Sequence, residues 1–232
     1  MLNINQKRLL TDWEIKKLSR DLVESSPGKF RGLPHDKFLE TFRKISEKKN
    51  YSNVNFFTWD GHFNFCIYFD YPGKLGKKFP EYRPRSCITS INKEFKSLNI
   101  YAGVMKEEFG AIVPFKLGLR RTEKIKTFEF ELTNGLSETE LLLDYQMSVI
   151  LNKVRAKQIT DPVLHYCLLN AGTSNTLNWN QVGRLFTKTQ KKAALSCEDL
   201  LLMQSNEVRL KQNRPRYQLE SMYRFYNLLS RS

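Results

Sequence analysis

The stretch from Asp161 to Ser232 constrains the fold more than any other part of the chain, because its order of elements leaves few architectures open. Asp161-Pro162 supplies a helix cap and a first-turn proline, and Val163, Tyr166, Cys167, Leu168 and Leu169 follow. Gly172 is expected to end that helix in left-handed geometry, which is cheap for glycine. Asn178 caps a second short helix carrying Trp179, Val182, Leu185 and Phe186. A third is expected from Thr187 or Thr189 to about Gln204, with Ala194, Cys197 or Glu198, and Leu201 on its inner side. Val208-Arg209-Leu210-Lys211-Gln212 and Arg216-Tyr217-Gln218-Leu219 then alternate as a basic hairpin around a turn at Asn213-Arg214-Pro215. A closing helix from Ser221 to Leu229 presents Met222, Phe225, Tyr226 and Leu229.

This order resembles the winged-helix superfamily, over the C-terminal stretch only and by element order rather than by an invariant motif. The resemblance implies that the third helix enters a major groove while the hairpin touches a flanking phosphate or minor groove. The residues so placed are Lys188, Gln190, Lys191 and Lys192 at the start of the third helix, with Arg209, Lys211, Arg214 and Arg216 on the wing. Gln190 and Lys191 are the base-edge candidates, and the wing arginines suit phosphates or a narrow minor groove. Glu198 and Asp199, further along the same helix, would repel phosphate. That balance favours backbone gripping over rich base reading.

Charge points the same way. The 232 residues carry 38 Lys+Arg against 24 Asp+Glu, a formal net charge of +14. Such an excess favours a polyanionic partner, nucleic acid first and an acidic protein or membrane surface second. With 41% hydrophobic and 12% aromatic residues the chain has a folding composition, long enough for two modest domains. No apolar run approaches the ~18–20 residues that span a membrane, and the N-terminus lacks the apolar core of a signal peptide. A cytoplasmic location is expected. Cys66, Cys87, Cys167 and Cys197 are scattered singly, as are His35, His62 and His165, so no zinc-type ligand pair is present and no cofactor is expected. Cys66 and Cys167 read as small core residues, and His165 as a core histidine.

The first half changes period. Helices are expected over Asp12–Glu24 and from Pro34, the latter with Phe38, Leu39, Phe42 and Ile45 as its stripe. Val54–Trp59 and Phe63–Phe69 flank Asp60-Gly61, a strong signal for a two-residue hairpin turn. Further strands are expected at Cys87–Ile91, Leu98–Met105, Ala111–Leu119 and Ile125–Leu132, with Pro114 marking an edge or bulge. The expected fold class is therefore α+β: a mainly antiparallel sheet domain with two leading helices over 1–134, then a connector helix plus a helical winged-helix domain over 137–232. Asn134-Gly135 reads as the boundary, and Ser137-Glu138-Thr139-Glu140 as a capping box starting a connector helix to about Ala156.

Two other groups of residues invite chemistry. Tyr71-Pro72-Gly73-Lys74-Leu75-Gly76-Lys77-Lys78 lacks phosphate-loop spacing and reads as a flexible basic loop; Lys74, Lys77 and Lys78 with Arg83 and Arg85 form the densest basic patch of the first half and would serve as a backbone clamp. Tyr71, Phe79 and Tyr82 either stack on unpaired bases or pin that loop to the sheet. Asp60, His62 and Asp70 near one hairpin, with Glu129 and Glu131 on a later strand, would suit two magnesium ions and phosphodiester cleavage. A nuclease half joined to a winged helix resembles the cutting subunits of some heteromeric transposases. Here Glu129-Phe130-Glu131-Leu132 has leucine where that family's strand carries lysine. The favoured reading is a non-enzymatic nucleic-acid binder, DNA over RNA and most readily double-stranded. Its role would be that of a transcriptional regulator or a subunit of a nucleoprotein assembly with protein partners. A metal-dependent endonuclease subunit and a protein–protein adaptor are the alternatives.

Overall fold

The computed structural model describes residues 35–59, 64–72, 79–90, 97–106, 110–120, 125–209 and 215–231. Within them the protein is α+β. Helix α1 (His35–Lys49) precedes strands β1 (Ser52–Trp59), β2 (Asn64–Asp70), β3 (Tyr82–Ser90), β4 (Ser97–Lys106) and β5 (Gly110–Arg120). The strands form one five-stranded sheet in chain order, β1 to β5. β1 pairs with β2, and β2 with β3, in antiparallel register, with Phe57 opposite Cys66 and Ile67 opposite Ile88. Pro114 falls on β5, an edge strand, where a missing N–H costs no bond on the open side. The strands expected at 54–59, 63–69, 87–91, 98–105 and 111–119 all overlap observed ones. The helix expected at Asp12–Glu24 and the turn at Asp60-Gly61 lie outside the described residues.

Six helices follow among the described residues: α2 (Ile125–Tyr145), α3 (Met147–Ala156), α4 (Asp161–Thr173), α5 (Trp179–Thr189), α6 (Cys197–Arg209) and α7 (Pro215–Arg231). Four expectations are corrected by them. Ile125–Leu132 is helix, not strand: α2 buries Phe128, Leu132 and Leu136 at four-residue steps and leaves Phe130 67% exposed, so the period is helical. Asn134-Gly135 and the supposed capping box lie inside α2, where Ser137 and Thr139 hydroxyls donate to the carbonyls of Thr133 and Gly135. Gly135 serves close packing there, since a side-chain carbon on it would stand 2.9 Å from Leu119.

The expected third helix is displaced. Thr187 and Thr189 finish α5, and α6 begins only at Cys197. Its start is fixed by Ser196 and Asp199: the Asp199 amide donates to Ser196 Oγ at 3.0 Å, and Ser196 Oγ donates to Asp199 Oδ2 at 2.7 Å. The wing strands are helical wherever described, because Val208 and Arg209 end α6 while residues 216–219 open α7. Val208 is buried in step with Leu201, and Leu219, Met222, Phe225 and Leu229 form one buried helical stripe. Two alternations of four or five residues had mimicked strands.

The chain divides into two compact units. The first comprises Met1–Pro72, Arg85–Ile100 and Leu117–Glu140; the second comprises Gly73–Pro84, Tyr101–Lys116 and Leu141–Ser232. An aromatic cluster forms the core of the first, with Phe38 4.7 Å from Phe65 and 5.5 Å from Phe128, and Phe42 5.2 Å from Phe69. Each such ring contributes about 2–3 kcal/mol by burial. Glu140 of α2 accepts from Lys49 at 2.6 Å and from the Tyr51 hydroxyl at 2.8 Å, which ties α2 to the end of α1. In the second unit, strand and helix are joined by two similar polar networks. Glu198 accepts from Tyr82 (2.5 Å), Lys106 (3.1 Å) and Arg155 (2.8 Å). Glu220 accepts from Tyr101 (2.5 Å), Lys116 (2.7 Å) and Arg224 (3.0 Å). All four cysteines are buried and free.

Candidate nucleic-acid interface

The second unit contains two successive helices, α4 and α5, joined by residues 174–178 and bounded by local sequence signals. Thr160, not Asp161, is the N-cap of α4, and Pro162 sits in its first turn. Leu164, Cys167, Leu168 and Ala171 face inward at helical spacing. Gly172 stays helical; the left-handed residue is Asn175, at φ 53°, a conformation asparagine tolerates. Asn178 then closes a reciprocal capping box: Gln181 N donates to Asn178 Oδ1, and Asn178 N to Gln181 Oε1, each at 2.9 Å. With the start of α5 fixed, Gln181, Leu185 and Thr189 are buried. Asn180, Gly183 and Thr187 lie on the exposed side, and a side chain at Gly183 would meet nothing within 4 Å.

The electrostatics of this pair are lopsided. Between Asp161 and Glu198 the sequence holds no carboxylate, while Arg184, Lys188, Lys191 and Lys192 fall within it. Arg184 and Lys188 converge on Glu207 of α6, Arg184 Nε at 2.8 Å from Oε2 and Lys188 on Oε1. Burial pushes the Glu207 carboxyl up, but hydrogen bonds from Lys188 and Arg184 outweigh it and hold the group below the usual carboxylate range. Lys192 pairs with Asp199 at 2.6 Å. Partial burial raises Asp199, yet Lys192 and Ser196 bring it below its ordinary value. Glu198 points into the Tyr82–Lys106–Arg155 network. The two acids expected to repel phosphate are thus matched by internal cations.

The expected contact residues separate into groups. Lys188, Gln190, Lys191 and Lys192 do lie together, but at the end of α5 and in the turn after it, not at the start of a third helix. Lys188 and Lys192 are engaged in ion pairs; Gln190 and Lys191 are exposed. Arg83 is exposed on β3. Arg85 is committed to structure: it makes a two-pronged pair with buried Asp70, at 2.5 and 3.0 Å, which Asn53 completes at 2.7 Å. Arg209 ends α6 and Arg216 opens α7. Lys74, Lys77, Lys78, Lys211 and Arg214 lie outside the described residues.

Among the described residues the nuclease constellation is not assembled. Asp70 is held by Arg85, Glu129 and Glu131 are on a helix, and Asp60 and His62 lie outside the described residues. Among the described residues no three His, Cys, Asp or Glu side chains converge. His165 is exposed rather than buried, with Nδ1 2.8 Å from the Asp161 carbonyl. Sequence reasoning passed over Asn180 and treated Thr187 only as a helix start, although both are exposed on α5. The signal for their exposure was present in Asn178-x-x-Gln181, a capping box that fixes where α5 starts, and in Leu185, whose apolar side chain marks the inward side. No protein-family model, curated protein or solved structure matches the chain.

Proposed function

We propose that this chain is a non-enzymatic nucleic-acid-binding protein, with DNA containing a duplex as its ligand, and that the α4–turn–α5 pair meets the DNA. The observation that carries this reading is the exposed face of α5 and its following turn, Asn180, Thr187, Gln190 and Lys191, set in a run without carboxylates from Pro162 to Cys197. Asparagine and glutamine amides match adenine edges, threonine offers a hydroxyl, and lysine grips phosphate. In this reading α5 takes the groove-entering part first assigned to a third helix, and no wing is required. The formal charge of +14 adds long-range attraction. So few base-reading side chains suit a subunit that holds DNA inside a larger nucleoprotein assembly, with protein partners, better than a stand-alone repressor.

Fluorescence anisotropy of a labelled duplex across a salt series tests this. Affinity should fall linearly on a log–log plot, and Lys191→Glu with Asn180→Ala should weaken binding while the thermal midpoint holds. Absence of binding at physiological salt would sink the proposal.

A further inference from the structure

The indole of Trp179 opens α5 and is 58% exposed, while Gly172 in the last turn of α4 is buried. One arrangement accounts for both. A side-chain carbon on Gly172 would meet indole atoms Cζ3, Cη2 and Cε3 at 2.7, 2.8 and 3.0 Å. The outer edge of the six-membered ring therefore lies against the glycine backbone and helps to bury it, while more than half of the tryptophan stays exposed. An indole anchored against helix backbone and largely exposed to solvent is a group on which a nucleobase can stack. Leu169 and Tyr166, at successive three-residue steps before Gly172 and each 57% exposed, continue the apolar strip along α4.

The charge pattern selects the occupant. An apolar strip alone would serve a protein partner as well, but this one sits in the run without carboxylates between Asp161 and Glu198. A polyanion that also carries flat apolar groups fits both features. An unbroken duplex keeps its base faces inside the stack, whereas an unpaired base offers one at little cost.

We infer that Trp179 is a base-stacking platform, and that the DNA held by this helix pair carries an unpaired base or a single-stranded tail beside its duplex. The inference rests on the proposed nucleic-acid binding and narrows its substrate.

The experiment compares a blunt duplex with the same duplex bearing a single-stranded tail, by anisotropy, for the full chain and for Trp179→Ala, Trp179→Phe and Trp179→Leu. The unaltered protein should prefer the tailed duplex by about tenfold, the scale of one base–aromatic stack. Phenylalanine should keep part of that preference. Leucine, which can cover Gly172 but has no π-face, should lose it while blunt-duplex affinity and thermal midpoint stay put, so that a folding defect confined to the alanine variant leaves the result readable. Equal affinity for both DNAs in the unaltered protein, or an undiminished preference in the leucine variant, overturns the platform and leaves duplex binding standing. Binding to neither DNA overturns both, and concentration-dependent association abolished by Trp179→Ala would then assign the strip to protein contact.

Discussion

Lys188 and Lys191, one helical turn apart in sequence, illustrate how differently two surface lysines can be used. Lys188 joins Arg184 on Glu207, whose side chain is only 2% exposed. Removing both cations strands a buried carboxylate, which costs about 3–5 kcal/mol when no partner remains. Arg184→Met with Lys188→Met should therefore lower the unfolding free energy in urea melts by a few kcal/mol, and adding Glu207→Gln should recover part of it. Lys191 has no ion pair among the described residues, so Lys191→Glu should leave stability within about 0.5 kcal/mol. The same change should weaken DNA binding and reduce the salt slope by about one. A stable Lys191→Glu variant with an unaltered titration would move the interface elsewhere. The clustering of Lys188, Gln190, Lys191 and Lys192 was legible because it is local. Which of them are engaged was not, since Glu207 lies 19 residues from Lys188 and Asp199 seven from Lys192.

Legibility among the elements followed the same division between local and distant causes. The strands β1 to β5 were readable from aromatic and β-branched runs, and α5 from its capping residue. Helix α2 was misread because Ile125–Leu132 alternates in sequence, while burial of Phe128, Leu132 and Leu136 follows the helical period. The wing failed likewise: short alternations at 208–212 and 216–219 matched period two, but burial of Val208 and Leu219 follows the helical period. Two glycine substitutions test the elements with opposite signs. In β4, a side-chain carbon on Gly103 would stand 2.0 Å from the backbone carbonyl oxygen of Ile112, an approach the sheet cannot relieve without separating strands. Gly103→Ala should cost upward of about 3 kcal/mol. Gly183 lies mid-helix in α5 with open space around it, so Gly183→Ala should stabilise by about 0.5–1 kcal/mol through backbone entropy. Thermal melts of the two variants distinguish the cases, and a silent Gly103→Ala would contradict the packing of β4 against β5.

Across the molecule, a formal charge of +14 means that folding must hold many cations close together, and three carboxylates of the second unit help to offset this. Glu198, Glu207 and Glu220 each accept from at least two cations. For all three, burial raises the carboxyl and hydrogen bonds outweigh it, from Tyr82, Lys106 and Arg155 at Glu198, from Lys188 and Arg184 at Glu207, and from Lys116 and Tyr101 at Glu220. The net direction is downward, so the folded state holds these groups ionised more firmly than the unfolded chain does. The stability they confer is fully present above the unfolded value of about 4.3 and disappears as pH falls through their lower folded values. Over the same range every protonated carboxylate adds to the net positive charge, and self-repulsion works in the same direction. The unfolding midpoint should therefore be nearly level from pH 7 to about 5 and drop steeply below about 4.3. Glu198→Gln and Glu220→Gln separate charge from packing, because glutamine keeps the volume and part of the hydrogen bonding but cannot ionise. Each variant should be less stable than the unaltered protein at pH 7, and the gap should close as the pH is lowered through the acid transition. A gap of constant size between pH 7 and pH 3 would mean that the two networks act through shape, and that the clustered cations are tolerated for some other reason.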